Sequence, residues 1–242
     1  MTLMFKGKTA VIIGGGSGMG FRVAQLIVDG GGHVVIGGRI QKRLDGAVEK
    51  LGSSASAYTV DNTNKESIAA FFAQVSAFEY LFTPGASYVT GRMLELSDEE
   101  AESPFRSKFW GQYWAVKHGL PKLAGDGAIV LMSGAASVRP PPGIGAAPYV
   151  ACNAAIEGLG RGLAVELAPI RVNVVSPGAI DGSLWRARPA EQREGMFKMA
   201  EELTALGRVG TEDEVAQAVI FLFQATYITG STLYPDGGYA LR

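Results

Sequence analysis

The chain has 242 residues and a formal net charge of −1, with 33 glycines, two histidines and a single cysteine. That length suits one α/β domain with a large core, and the balanced charge supplies neither a basic stripe for nucleic acid nor an acidic tail. Cys152 alone excludes an internal disulfide, two histidines leave no material for a zinc cluster, and the N-terminal residues carry no long apolar segment, so no metal, no membrane and a cytoplasmic location are expected.

Taken in order, apolar runs alternate with helical patterns. The first run, Thr9–Ile13, ends in Gly14-Gly15-Gly16-Ser17-Gly18-Met19-Gly20, and a helical pattern follows from Phe21. Strand, tight turn and helix in that order are the context of a dinucleotide fingerprint. Gly14, Gly18 and Gly20 lack a β-carbon, so backbone can approach a ligand closely. The helix that follows turns its positive end to the same point, which suits a pyrophosphate. Gly14, Gly16, Ser17, Gly18, Met19 and Gly20 are therefore candidate cofactor contacts.

Further strands are expected at His33–Ile36, Ala57–Val60, Tyr80–Thr83, Ala128–Met132, Arg171–Val175 and Thr232–Tyr234. They lack strict polar alternation, as strands covered on both faces should. Asn64 is a candidate cap for a helix over Lys65–Gln74, and Ser97–Glu100 and Thr211–Glu214 read as capping boxes. Arg139-Pro140-Pro141-Pro142-Gly143 must be a loop, either a rigid connection or the wall of a pocket. The alternation predicts a Rossmann-type, doubly wound parallel sheet of about seven strands, with helices on both faces, in a single domain. Ligands of such sheets bind beyond the carboxyl ends of the strands, so residues just after each strand carry the functional expectation.

After the second strand, where an NAD site wants a carboxylate, the chain has Gly38 and Arg39. A guanidinium suits a 2′-phosphate, and Lys42 and Arg43 add positive charge, which favours NADP(H) over NAD. Asp61 and Asn62 after the third strand either contact adenine or form a turn.

These features resemble the short-chain dehydrogenase/reductase family, and the resemblance covers nearly the whole chain. Gly14-x-x-x-Gly18-x-Gly20 resembles the family's cofactor loop, Val60-Asp61-Asn62 its adenine contact, and Arg171–Gly178 its sixth strand with the turn that meets the nicotinamide. Ile228-Thr229-Gly230 and Asp236-Gly237-Gly238 resemble its C-terminal segment. The resemblance implies cofactor contacts at Thr83, Gly85, Pro177, Gly178 and Ile180, a substrate lid around 181–206, and a homotetramer or homodimer packed through the two long helices.

The catalytic positions depart from the pattern. Tyr149 matches the family's tyrosine, but Asn153 stands where its lysine belongs, and Lys108 where its asparagine belongs. Thr83-Pro84-Gly85-Ala86 replaces the usual Asn-Asn-Ala-Gly. Ser133 is the candidate carbonyl orienter, although Gly134 fills the serine site by strand position and Ser137 is a second candidate. The reciprocal exchange suggests a swap: Lys108 supplies positive charge from the neighbouring helix, and Asn153 keeps a hydrogen bond to the ribose. The expected activity is NADPH-dependent interconversion of a small ketone or aldehyde with an alcohol. A non-catalytic NADP(H) sensor or scaffold is the alternative, because the cofactor half is intact while the catalytic half is altered.

Overall fold

A computed structural model describes residues 4–143, 145–186 and 188–242, with Leu184 described by its backbone only. The chain runs β1 (Thr9–Ile13), α1 (Gly18–Asp29), β2 (His33–Gly38), α2 (Gln41–Leu51), β3 (Ala55–Thr59), α3 (Lys65–Gln74) and β4 (Phe78–Thr83). It continues through α4 (Asp98–Pro104), a π-helical stretch (Phe105–Trp110), α5 (Gly111–Gly119), β5 (Leu123–Met132), α6 (Ala147–Glu166) and β6 (Arg171–Val175). The last part holds β7 (Ile180–Asp181), α7 (Ser183–Arg186), α8 (Ala190–Leu203), β8 (Gly210–Thr211), α9 (Glu212–Gln224) and β9 (Thr232–Leu233).

Seven strands form one parallel sheet in the order β3-β2-β1-β4-β5-β6-β9. The order reverses between β1 and β4, and the crevice of a doubly wound fold opens there. The sequence reading missed the separate two-stranded pair β7–β8, whose two-residue strands carry no periodicity to detect. It also began the fifth strand late. β5 starts at Leu123, and its register against β4 shifts between Phe78 and Tyr80.

Alternation along the central strands divides the core in two. Ala10 and Ile12 of β1, with Ala128 and Val130 of β5, pack against Val23, Ile27, Val215 and Val219 of α1 and α9. Val11, Ile13, Ile129 and Leu131 point the other way, onto Ile68 and Phe71 of α3, Ala115 of α5 and Ile156 of α6. Both faces are thus dry, which explains the strands' unbroken apolar runs.

Helix starts follow their local chemistry. The Asn64 side chain accepts from the Ser67 N–H at 2.7 Å, and Ser97 and Thr211 each form a reciprocal capping box with the glutamate three residues on. Pro104 has no N–H to offer the Glu100 carbonyl one turn earlier. The Ser103 hydroxyl donates to that carbonyl instead, at 2.7 Å. The π-helical stretch follows at once, and it carries Lys108. Among the described residues no helix is long and apolar enough to cross a membrane.

Candidate active site

The glycine loop is shaped by close backbone approach. The N–H groups of Gly14 and Gly15 donate to the Gly37 carbonyl at 2.8 and 3.3 Å, and that of Gly85 donates to the Ile13 carbonyl at 2.8 Å. Gly14 has a φ of 104°, and a Cβ there would lie 2.5 Å from the Gly85 nitrogen. A Cβ on Gly20 would sit 2.2 Å from the Gly14 carbonyl oxygen. Neither position tolerates a side chain. The first N–H groups of α1, from Gly18, Met19 and Gly20, have no carbonyl one turn back, and Ser17 makes no side-chain cap. They remain available to an anion.

Arg39 is exposed at the end of β2 and lines a shallow pocket with Thr59, Val60, Asp61 and Ser67. Asp61 accepts from the Thr63 N–H and hydroxyl at 2.9 and 2.8 Å, which makes the turn. Asn62 is buried, and its amide donates to the carbonyls of Gly85 and Ser107 at 2.7 and 2.9 Å. That side chain ties three segments together and has no donor left to read a base. Thr83 is likewise structural: its hydroxyl donates to Gln112 Oε1 at 2.8 Å. Gly178 passes so close to Asp236 that a Cβ would meet its Cα at 2.9 Å. Ile180 turns its side chain into the core, and Pro177 accepts from the Ala135 N–H at 2.8 Å.

One stripe of α6 faces the ends of β5 and β6. Tyr149, Asn153 and Glu157 are spaced four apart and so lie on one side of the helix. Lys108, buried on the π-helical stretch, meets this stripe. Its ammonium donates to the Ser133 carbonyl at 2.7 Å and to Asn153 Oδ1, and lies 5.0 Å from the centre of the Tyr149 ring. Among the described residues no carboxylate lies within ion-pair distance of it. Its charge therefore acts on the phenol without a competing anion in contact. Burial pushes the Tyr149 pKa up. Lys108, with the polar groups of Tyr88 and Asn153, pulls it further down, to a net value below that of an ordinary phenol.

The candidate carbonyl-orienting serines both have partners within the chain. The Ser133 hydroxyl shares its one proton between the Asn153 carbonyl, 3.0 Å away, and Glu157, 3.1 Å away, and the Ser137 hydroxyl donates to Glu157 at 2.5 Å. Both hydroxyls thus meet Glu157, two turns along α6 from Tyr149. Gly134 faces the phenol instead, and a Cβ on it would lie 2.9 Å from the Tyr149 oxygen. Glu157, which sequence reasoning passed over, is a buried carboxylate that also accepts from Ser176 at 3.1 Å and Tyr234 at 2.8 Å. Its place eight residues after Tyr149 was the available signal. Tyr88 was also missed. Its ring stacks on that of Tyr149, with centroids 4.7 Å apart and planes 25° from parallel. It lies on the loop between β4 and α4, where no periodicity marks it.

Other polar candidates are packed elsewhere. Cys152 is buried, its thiol donates to the Pro104 carbonyl at 3.2 Å, and burial pushes its pKa up to about 11. His118 lies against Trp114 in the last turn of α5.

A family model described as enoyl-(acyl carrier protein) reductase matches residues 14–240. The chain belongs to the short-chain dehydrogenase/reductase family. It is similar to 3-oxoacyl-[acyl-carrier-protein] reductase FabG of Chlamydia muridarum, with 31% identity covering 99% of this chain and 100% of that one. Galactitol 2-dehydrogenase (L-tagatose-forming) of Cereibacter sphaeroides is also 31% identical, over 97% of this chain and 96% of its own. A small-chain dehydrogenase solved in complex with NADPH superposes with a TM-score of 0.79 at 28% identity, covering 97% and 99% of the two chains. The protein is thus an oxidoreductase of this family.

The residues present fit a dinucleotide on two counts. The cradle at Gly14–Gly20 is one that side chains would fill. In addition, Asn153 Nδ2 is fully buried and has no hydrogen-bond partner. An unpaired buried donor costs about 1–3 kcal/mol, which a ligand oxygen would relieve.

Proposed function

We propose that the protein is an NADPH-dependent reductase that interconverts a small ketone or aldehyde with an alcohol, using an exchanged catalytic set. The observation that carries this reading is the bonding of Lys108 to Asn153 beneath the ring of Tyr149. The glycine loop and the start of α1 would hold the pyrophosphate, Arg39 the 2′-phosphate, and Asp61 the rim around the adenine. Pro177, Gly178 and the backbone of Ile180 would border the nicotinamide. Bound in reduced form, the dinucleotide supplies a hydride.

Tyr149 gives its proton to the carbonyl oxygen as charge develops there. Lys108 stabilises the phenolate left behind, the electrostatic part of the work that the family assigns to the lysine four residues after the tyrosine. Asn153 offers its unpaired N–H to a ribose hydroxyl. Ser133 acts through its backbone, as an anchor for Lys108. The two relatives above are named for an acyl carrier protein-linked oxo compound and for a sugar alcohol. Both names fit carbonyl–alcohol chemistry, so it is the reaction type, not the substrate, that carries over.

We also infer a homodimer or homotetramer. Gly160 is consumed inside the subunit, where a Cβ would lie 2.4 Å from Val174, whereas Gly158 and Gly162 present an open helix face. Trp110, 45% exposed, stacks on Trp114 along the adjoining helix.

The test is fluorescence titration with NADPH and NADH, followed by NADPH oxidation over a panel of ketones and aldehydes. Saturable NADPH binding with turnover that is lost in Tyr149→Phe is the expected result. Binding without any turnover would favour the sensor, and no saturable binding would end the cofactor assignment.

A further inference from the structure

Resting on the reductase reading above, we propose that Tyr88 is a second catalytic phenol, whose hydroxyl donates to the oxygen of Tyr149 and stabilises its phenolate. The two rings stack near-parallel with centroids 4.7 Å apart, and each phenol is among the groups that set the other's ionisation. No other hydroxyl competes for the place among the described neighbours. Ser133 and Ser137 are bonded to Glu157, and residue 134 is a glycine. Lys108 acts on Tyr149 across the face of its ring, by its field, so a hydroxyl donor at the phenolate oxygen adds to that field and to the Asn153 amide.

The loop that carries Tyr88 is pinned on both sides of it. The Ser87 N–H donates to Ser107 Oγ at 3.2 Å, and the Val89 N–H donates to Ser103 Oγ at 2.9 Å. Ser103 and Ser107 are one turn apart on the helical run that also carries Lys108. A single segment therefore positions both the ammonium and the second phenol, and the donor is preorganised where charge develops. Burial, then the proximity of the Tyr149 phenol, pushes the Tyr88 pKa well above that of an ordinary phenol. Tyr88 thus keeps its proton while Tyr149 loses its own.

The proton balance is simple. In reduction the O–H bond of Tyr149 breaks, its proton goes to the carbonyl oxygen, and the carbonyl carbon takes the hydride of a reduced nicotinamide. The electron pair stays on the Tyr149 oxygen, where Tyr88 donates a hydrogen bond without transferring its proton. Water returns a proton to Tyr149 before the next turnover.

Tyr88→Phe keeps the stacked ring and deletes only the hydroxyl. The expected result is a fall of about tenfold in kcat with little change in KM, and a move of the Tyr149 ionisation by about one unit to higher pH. That ionisation can be read without substrate, by NMR of carbon-labelled tyrosine, with the resonance assigned by its loss in Tyr149→Phe. Thermal unfolding confirms that the variant is folded. An unchanged Tyr149 titration in Tyr88→Phe overturns the proposal whether or not carbonyls are turned over. A shifted titration with unchanged kcat in an active enzyme overturns its catalytic half. A wild-type protein that binds NADPH but turns over no carbonyl fails the reductase reading itself, and the substrate-free titration keeps the two failures apart.

Discussion

At the end of β1 the surface offered to a ligand is backbone: glycines whose Cβ would collide with neighbouring peptide groups, and the free N–H groups of a helix start. At the end of β5 it is side chains, namely Lys108, Asn153, Tyr149 and Tyr88, drawn from three separate segments. The first region is constrained by sterics at single positions, so any added side chain breaks it. The second is constrained by complementarity between positions, and the proposed exchange of Lys108 and Asn153 relies on it, with a positive charge kept beside the phenol. The comparison teaches that the glycine loop is intolerant at single positions, whereas the proposed catalytic cluster depends on how its members match one another.

The harshest challenge to the catalytic region is Lys108→Met. Removing the charge raises the Tyr149 pKa. Alcohol oxidation, which needs the phenolate, then loses about tenfold at neutral pH for each unit of the shift. The fall of the reductive rate, which needs the protonated phenol, moves to higher pH. A pH–rate profile of kcat/KM checks both, and a profile identical to wild type would return Lys108 to a purely structural role. The corresponding challenge to the backbone region is Gly20→Ala. A methyl group 2.2 Å from a carbonyl oxygen forces the loop to shift, at a cost of about 1–3 kcal/mol. Lower thermal stability and loss of dinucleotide binding are expected together. If Gly20→Ala bound NADPH normally, the contrast between the regions would fail.

A smaller effect is expected where the two regions' logics meet, at an exposed side chain serving the cradle. Arg39→Ala should weaken NADPH binding by about tenfold or more and leave NADH nearly unchanged, as deletion of a charge-assisted phosphate contact would. Competitive titration of the two nucleotides decides it.

The smallest effect lies outside both regions. Glu214 closes the capping box of α9, and its hydrogen bond from Arg208, with the Thr211 N–H, holds its carboxyl down to about 2. Because the folded value is depressed, its contribution is fully present above the usual glutamate range and is lost as pH falls toward 2. Glu214→Ala should cost about 1 kcal/mol or less at pH 7, since the group is exposed, and the difference from wild type should vanish in acid. Chemical denaturation at several pH values measures it.

The residues themselves show unequally how far the chain could be read in one dimension. Gly14, Gly18 and Gly20 announce their role, because a tight turn between an apolar run and a helix leaves few alternatives. The caps at Asn64, Ser97 and Thr211 are equally local, and all three are made. Asn62, just past β3, and Thr83, the last residue of β4, stand at strand ends as candidate ligand residues should, yet both are spent on bonds to distant backbone or side chains. Ser133 was sought as the orienting hydroxyl, but it turns toward Glu157, an acid eight residues past Tyr149. Tyr88 had no signal at all, since its partner lies 61 positions away.

By itself, then, the sequence determined the α/β alternation, the tight glycine turn after β1 and the family, because each rests on steric or hydrophobic patterns between near neighbours. Tertiary structure alone decided that a lysine on a π-helical turn reaches an asparagine on α6, that both candidate serines meet Glu157, and that a loop tyrosine stacks on Tyr149. Those facts depend on how three segments, distant in the chain, are brought to one end of the sheet, and no local rule encodes the distances between them.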